Sequence, residues 1–583
     1  MAEQTGNTVM RGSLALTGAV AGLALWALFD VIPDLVTNAR LVLFLVAGGC
    51  AFFGVLLALI GPVRLIPAVM AAAALSVVAS LLLIWASFRY DLAETFLDTE
   101  HHVLAFAYML AIAVPFVSAG LQEAGGWRQY DLLFDTSWTI VVRSAAALLF
   151  VAVVWGVVML SDALLGLVGI TAIDWLLEID PVPWLLSGLA LGLGLAIVHE
   201  LSEFISPFLI IQLLRVLLPV LLLVLGIFIL ALPFRGLGGL FGGFSAAATL
   251  IAVSLAAITL ITTAVHRDDD QAVEGYMVAM TKALALLMPV PALLALYAIW
   301  VRIGQYGLTP DRMAGLIAAA VVVIYALAYV GAVLGRDRWA ARLRGANRWM
   351  ALMTIAIAAL WLTPVLNAER LSVASQVARA EAGVPPKELA LWEMTHEWGR
   401  AGRAGLVRVL DLTDRPDHAE LVEAVASARA AKSRWAYERG QDDLKIDSLD
   451  DIVPLRPEGV SLPVGAFDKL SERDRRQLHE ACARTLPGGH PACVLVLADY
   501  DPLRPYPQAI VLFAPQDDRV RLLALDLRGD TLVARGAPVQ PGAGSLTLLE
   551  PQSIIDVLEG RFEITPVPRN VLDIGGIRLM PQD

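Results

Sequence analysis

Hydrocarbon offers no hydrogen-bond partners, so a chain that crosses it repeatedly must do so as helices or as a closed barrel. The first two-thirds of this sequence contain about eleven apolar runs, each roughly the 20 residues that a helix needs to cross. They lie near 13–32, 41–60, 65–86, 102–120, 141–161, 183–202, 207–232, 244–265, 277–300, 313–334 and 349–366. Charge follows the same division. Residues 1–366 hold 17 Lys+Arg and 22 Asp+Glu, whereas the shorter stretch 367–583 holds 26 and 33. This pattern predicts an α-helical polytopic membrane protein of about eleven transmembrane helices over 1–366, with lipid as solvent. A helical neck over 367–450 and a small, β-rich α+β soluble domain over 451–583 follow.

Arginine and lysine in short loops orient such a chain, because they concentrate on the cytoplasmic side. The link "GRDRWAARLRGANR" carries Arg336, Arg338, Arg342, Arg344 and Arg348, and is the densest basic loop of the first part. Placing it in the cytoplasm puts the N-terminus there too and the tail on the far side. In a bacterium this is an inner-membrane protein with a periplasmic C-terminal domain. The stretch around Asp174, Glu178 and Asp180 is too short and too acidic for a span and reads as an interfacial helix.

In the tail the texture shifts from helical periodicity to alternation. "ACVLVLADY", "QAIVLFAP", "RVRLLALDL" and "TLVARGAP" read as strands, "QSIIDVLEG" as a helix, and "RFEITPV" and "GIRLMP" as two closing strands. "QDDLKIDSLDDIVPLRPEG" reads as a loop. Cys482 and Cys493 flank "LPGGHP", which can turn the chain back. They are a disulfide in an oxidising compartment or two free buried thiols.

One polar link stands out between two apolar runs: "WVRIGQYGLTPDR", with Trp300, Arg302, Gln305, Tyr306, Gly307, Thr309 and Arg312. It reads as an interfacial hairpin or as a docking surface for the tail. An Arg-x-x-x-Tyr-Gly-Leu-Thr-x-x-Arg loop late in a multi-span chain, followed by "ERLSVASQVARAEAG" and "GRAGRAGL", resembles the bacterial family called domain of unknown function 4153. The resemblance implies an inner-membrane protein with many spans and an aqueous C-terminal part. It implies no activity.

Ionisable groups at membrane depth are functional candidates. His199, Glu200 and Glu203 cluster at one end of the sixth run, and Arg215 lies inside the seventh. The cluster reads as a solvated helix end or as an ion or proton site, with Arg215 paired to Glu203 or Glu200. The "MPVP" stretch must bend or interrupt the ninth run. No phosphate-binding loop, no Gly-x-Ser-x-Gly and no Cys-x-x-Cys occurs. No basic face points to nucleic acid, and no residue set to a cofactor or a metal. Expected partners are the lipid bilayer and, through the tail, an envelope protein. A non-enzymatic scaffold or sensor is the leading reading; a transporter or channel using the charges near Glu203 and Arg215 is the alternative.

Overall fold

The structure is a computed structural model. It describes residues 2–200, 207–235, 244–265, 275–335, 338–437, 449–502, 504–514, 520–536, 538, 549–565, 572–574 and 577–579. The chain forms two compact units, Met1–Ala430 and Ala431–Asp583.

Eleven long helices dominate the first unit: α1 (Ala2–Trp26), α2 (Ala39–Leu59), α3 (Leu65–Ser87), α4 (Glu100–Gln122), α5 (Tyr130–Leu167), α6 (Pro181–Glu200), α7 (Pro207–Arg235), α8 (Phe244–Ala264), α9 (Tyr276–Tyr306), α10 (Pro310–Leu334) and α11 (Trp339–Trp361). Ten have the length and apolarity to cross a membrane; α11 passes the same test jointly with the stretch Pro364–Glu381, which is bent 79° from it. Each apolar run of the sequence corresponds to one of these helices. One detail differs. The helix α11 begins at Trp339 rather than near 349, so much of the basic link is its first turns. As expected, "MPVP" interrupts α9, which consists of Tyr276–Leu287 and Pro289–Tyr306; the helical angles of Met288 (φ −57°, ψ −32°) keep the two pieces in one long apolar stretch. The short helix Ala172–Leu177 occupies the stretch read as interfacial.

Two apolar cores divide the spans. One is built from α1–α4 with contributions from α6 and α11. The other is built from α7–α11. In the first half, α1 and α6 meet through Gly18-x-x-x-Gly22 and Gly188-x-x-x-Gly192, and their backbones nearly touch. A Cβ on Gly18 would lie 2.2 Å from the Gly188 carbonyl oxygen, and one on Gly188 2.2 Å from that of Gly18. Small residues at this spacing let dispersion forces act between helices where lipid removes the hydrophobic drive.

The last carbonyls of a helix lack intrahelical donors, and apolar surroundings make that expensive. Arginines from neighbouring helices fill the gap. Buried Arg143 of α5 donates to the carbonyls of Leu57, Ala58 and Ile60 at the end of α2, at 2.9, 2.7 and 2.8 Å. Arg344 reaches Val265 (3.3 Å) and Arg215 reaches Thr263 (3.1 Å), both at the end of α8.

Four further helices follow the long ones in the first unit: α12 (Ala368–Glu381), α13 (Leu391–His396), α14 (Gly399–Leu410) and α15 (His418–Ala430). They were expected as a separate neck over 367–450, but the division between units falls after Ala430. The reason is packing: buried Val373, Val377 and Ala380 of α12, Met394 of α13 and Leu406 of α14 form a small core, and buried Glu369 is held by side chains of the span-side turn.

The second unit holds a five-stranded sheet in the order β1 (Leu455–Arg456), β2 (Cys493–Ala498), β3 (Gln508–Phe513), β4 (Arg521–Arg528) and β5 (Thr531–Gly536). The first pair is parallel and the rest antiparallel. Alternation along β2 sends Cys493 and Leu495 to one core with α16 (Glu472–Ala483), and Val494 and Val496 to another with α17 (Pro551–Leu558). Both faces are therefore covered. A disulfide joins Cys482 of α16 to Cys493 of β2, with Cα atoms 5.0 Å apart. Two expectations are corrected. The acidic link read as a loop supplies the edge strand β1, because Leu455 and Arg456 pair with Leu495 and Val496. The strand pairing with β7 (Ile577–Leu579) is β6 (Leu572–Ile574); residues 561–565 of "RFEITPV" form no strand.

Two outcomes follow for the helical unit. Gly188→Leu should abolish the monodisperse folded protein in detergent gel filtration, whereas Gly156→Leu, whose Cβ position meets open space, should leave the profile unchanged. Arg143→Leu should lower stability by about 1–3 kcal/mol for each carbonyl left without a donor, read as a lower thermal-unfolding midpoint; an unchanged midpoint would show that these carbonyls need no cap.

Candidate functional site

The turn between α3 and α4 places Arg89 and Tyr90 beside the first turn of α4, the end of α11 and the start of α12. Glu369, only 1% exposed, sits at the centre. Arg89 Nη1 donates to Glu369 Oε2 at 3.0 Å, and Arg89 Nη2 donates to the carbonyls of Trp361 and Thr363, each at 2.7 Å. One guanidinium thus neutralises a buried carboxylate and caps a helix end. Tyr90 Oη donates to Glu369 Oε1 at 3.2 Å. Burial, and after it the adjacent Glu369 carboxylate, push the phenol well above its ordinary pKa, so it stays a donor.

Two histidines of α4 complete the cluster. His102 Nε2 lies 3.0 Å from Glu369 Oε1, and His101 Nε2 lies 3.7 Å from the same oxygen. His101, His102 and Glu369 bring three potential metal-ligand atoms within 4.8 Å of one another. The hydrogen bonds argue against a cation. The indole of Trp361 can only donate, and it points at His101 Nδ1 at 3.2 Å, which leaves the His101 proton on Nε2. Arg89 Nη1 stands 3.4 Å from His102 Nε2 and already supplies positive charge. Thr99 Oγ1 donates to the Phe96 carbonyl at 2.6 Å and so accepts from His102 Nδ1–H at 3.2 Å. The arrangement joins four chain segments through one buried carboxylate.

Outside this cluster the same turn is clamped again. Arg40 Nη2 donates to the carbonyls of Tyr90 (2.8 Å) and Asp91 (3.0 Å). Arg400 pairs with Asp91 at 2.8 Å, and Arg403 pairs with Asp91 as well. Gly399 starts α14 with φ +50°, and a Cβ there would lie 2.7 Å from the Arg89 carbonyl oxygen; glycine is required on both counts.

The polar link before α10 lies on α12. Its backbone is read by three side chains: Ser375 Oγ accepts from Leu308 N (3.0 Å), Gln376 Nε2 donates to the Tyr306 carbonyl (3.1 Å), and Arg379 Nη1 donates to the Gln305 carbonyl (2.9 Å). Gly307 takes φ +77°, and a Cβ there would meet Gln376 Nε2 at 2.5 Å. Thr309 caps α10 by accepting from Arg312 N at 3.3 Å, while Arg312 donates to the Gly307 carbonyl at 2.8 Å. Arg302 stacks on Tyr306, and Trp300 is exposed. The link thus holds α12, the first long helix after the spans, by its backbone.

Against α4, α8, α10 and α11 lies a cavity of about 500 Å³, lined by Leu104, Tyr108, Leu255, Val321 and Ala358 among others, with His101 and Trp361 among its few polar groups. A second cavity of about 340 Å³ lies on the same helices and the start of α5, toward Tyr130, Asn347 and Arg348.

No family model, curated protein or solved structure matches this chain.

Most of the intramembrane cluster named from sequence falls outside the described residues. Glu203 and the side chains of His199 and Glu200 lie outside them, and Arg215 donates to the Thr263 carbonyl. Sequence reading passed over Arg89, Tyr90, His101 and His102. The signal was present as "HH" at the start of an apolar run, a costly place for two imidazoles.

Breaking a buried ion pair by removing one partner costs about 3–5 kcal/mol, so Arg89→Ala and Glu369→Ala should each lower the thermal midpoint strongly. The double variant should lose less than the two losses combined. Strict additivity would mean that the two groups do not interact.

Proposed function

We propose that the protein is a multi-pass bacterial inner-membrane protein that works as a scaffold or sensor, with its N-terminus in the cytoplasm and the Ala431–Asp583 unit in the periplasm, where it binds an envelope partner or ligand. The observation that carries this reading is where the buried charges go. Arg143 and Arg344 donate to helix-end carbonyls, and Arg89 to such carbonyls and a carboxylate. They support packing, and the larger cavity of the helical unit has mainly apolar walls rather than a polar route across the membrane. A transporter or channel needs such a route.

Orientation rests on the basic residues of α11 and on an odd number of spans. The Cys482–Cys493 bond fits an oxidising compartment. Kinship with the domain of unknown function 4153 family draws support from where the three resembling stretches lie. Glu369, Ser375, Gln376 and Arg379 of the second grip the 305–308 turn of the first and the Arg89 turn, and Gly399, Arg400 and Arg403 of the third hold that Arg89 turn from outside.

A C-terminal alkaline phosphatase fusion should be active in intact cells and a C-terminal green fluorescent protein fusion dark; the reverse pattern rejects the orientation. Acid-quenched, maleimide-treated cells should yield Cys482 and Cys493 unalkylated. Proteoliposomes of the full chain should show no ion flux above empty vesicles, and a flux that disappears in Arg215→Gln would favour the transporter reading instead.

A further inference from the structure

We propose that the two cavities form one lipid site, and that it takes a single anionic phospholipid from the bilayer, with its chains along the apolar stretch and its phosphate at Arg348.

The two cavities succeed one another on the same helices. Along α4 the lining passes from Leu104 and Tyr108 to Ile112 and Phe116, and along α8 from Ile251 and Leu255 to Ile258 and Thr262. Each step is about one helical turn, so each helix turns one continuous stripe toward the space. On α11 the stripe runs from Trp361 through Ala358 and Thr354 to Ala351 and Asn347. The 14 residue steps from Trp361 to Asn347 span about 21 Å at 1.5 Å per residue, two-thirds of a hydrocarbon core. The site lies between the two apolar cores of the bundle, where α11 belongs to both. Together the volumes are of the size that holds a ligand of several hundred Å³. At membrane depth the molecules on hand to supply the missing dispersion contacts are lipid chains.

Polarity is one-sided. The larger cavity, at the Trp361 end, is walled by aliphatic side chains apart from His101, Thr354, Tyr108 and Trp361. His101 is engaged by Trp361 and faces Glu369, so this end has no charge to offer a headgroup. The other end gathers Tyr130, Asn347, Thr262 and Arg348. Asn347 Nδ2 donates to Tyr130 Oη at 2.8 Å, which sets a polar floor. The guanidinium of Arg348 meets the backbone carbonyl of Arg128 rather than a carboxylate. Among the described residues no carboxylate meets the Arg348 guanidinium, and a cation so placed at the mouth of an apolar slot suits a phosphate, which offers a planar guanidinium charge-assisted hydrogen bonds. A zwitterionic headgroup brings a compensating cation to the same place and gains less. Of the two sources of phosphate, the lipid alone fills the apolar stretch.

The full chain, purified in mild detergent and delipidated, is offered equimolar phosphatidylglycerol and phosphatidylcholine and read by native mass spectrometry. One bound phosphatidylglycerol is expected, retained about tenfold over phosphatidylcholine, the ratio that one charge-assisted contact supports. Inorganic phosphate in excess should not displace it. Arg348→Gln should bring the two lipids to near parity, and Ala318→Phe, which narrows the apolar stretch, should weaken both. Equal retention of the two lipids by the unaltered protein, displacement by inorganic phosphate, or undiminished selectivity in Arg348→Gln would each overturn the proposal. The competition on the unaltered chain decides even where a variant fails to fold.

Discussion

A helix that ends among apolar side chains leaves carbonyl oxygens with nothing to bond, and this protein answers with arginine. Arg89 is the most consequential case, since one guanidinium satisfies Trp361 and Thr363 at the end of α11 and holds the buried carboxylate of Glu369. Remove the carboxylate and a cation is buried alone; remove the cation and the end of α11, the start of α12 and the histidines of α4 lose their common partner. A fixed, planar, permanently charged fork suits this task better than lysine. The same solution recurs with Arg143 at the end of α2 and with Arg215 and Arg344 at the end of α8. Charges inside an apolar bundle invite a transport reading, but each of these arginines donates to at least one helix-end carbonyl.

The long apolar helices were legible because a hydrocarbon solvent asks for a length and a composition that ten of them satisfy alone and α11 satisfies together with the bent stretch after it. The strands β2–β5 were legible because alternation survives even where both faces are buried. What the sequence hid depended on contacts far apart in the chain. Arg89 and Glu369 are separated by 280 positions, and neither has a local pattern that announces the other. The neck dissolved into the first unit for the same reason: α12 looks like a free amphipathic helix until Glu369, Ser375, Gln376 and Arg379 are seen to reach the span-side turns. The glycine pair of α1 and α6 carried a readable spacing, Gly-x-x-x-Gly in both helices, whose meaning appears once their backbones meet. The polar link ending in Gly307 and Thr309 was legible as unusual, and its reason proved to be the helix that rests on it.

The two halves of the span bundle each own an apolar core, and α11 is shared between them. The cluster at the end of α11 thus fixes a helix that both cores share, and the crevice runs along α4, α8, α10 and α11. A scaffold or sensor with a lipid in such a seam would couple membrane composition to the packing of its halves. The second unit has its sheet covered on both faces and stapled by Cys482–Cys493.

The central claim is that Arg89, rather than a metal ion, organises the buried cluster. A side-chain-resolution cryo-electron microscopy map of the full chain in a lipid nanodisc, prepared with zinc in the buffer, tests it most directly. The account predicts guanidinium density bridging Glu369 to the carbonyls of Trp361 and Thr363, with no ion peak between His102 and Glu369. An ion peak ligated by His101, His102 and Glu369, with Arg89 turned away, would contradict it.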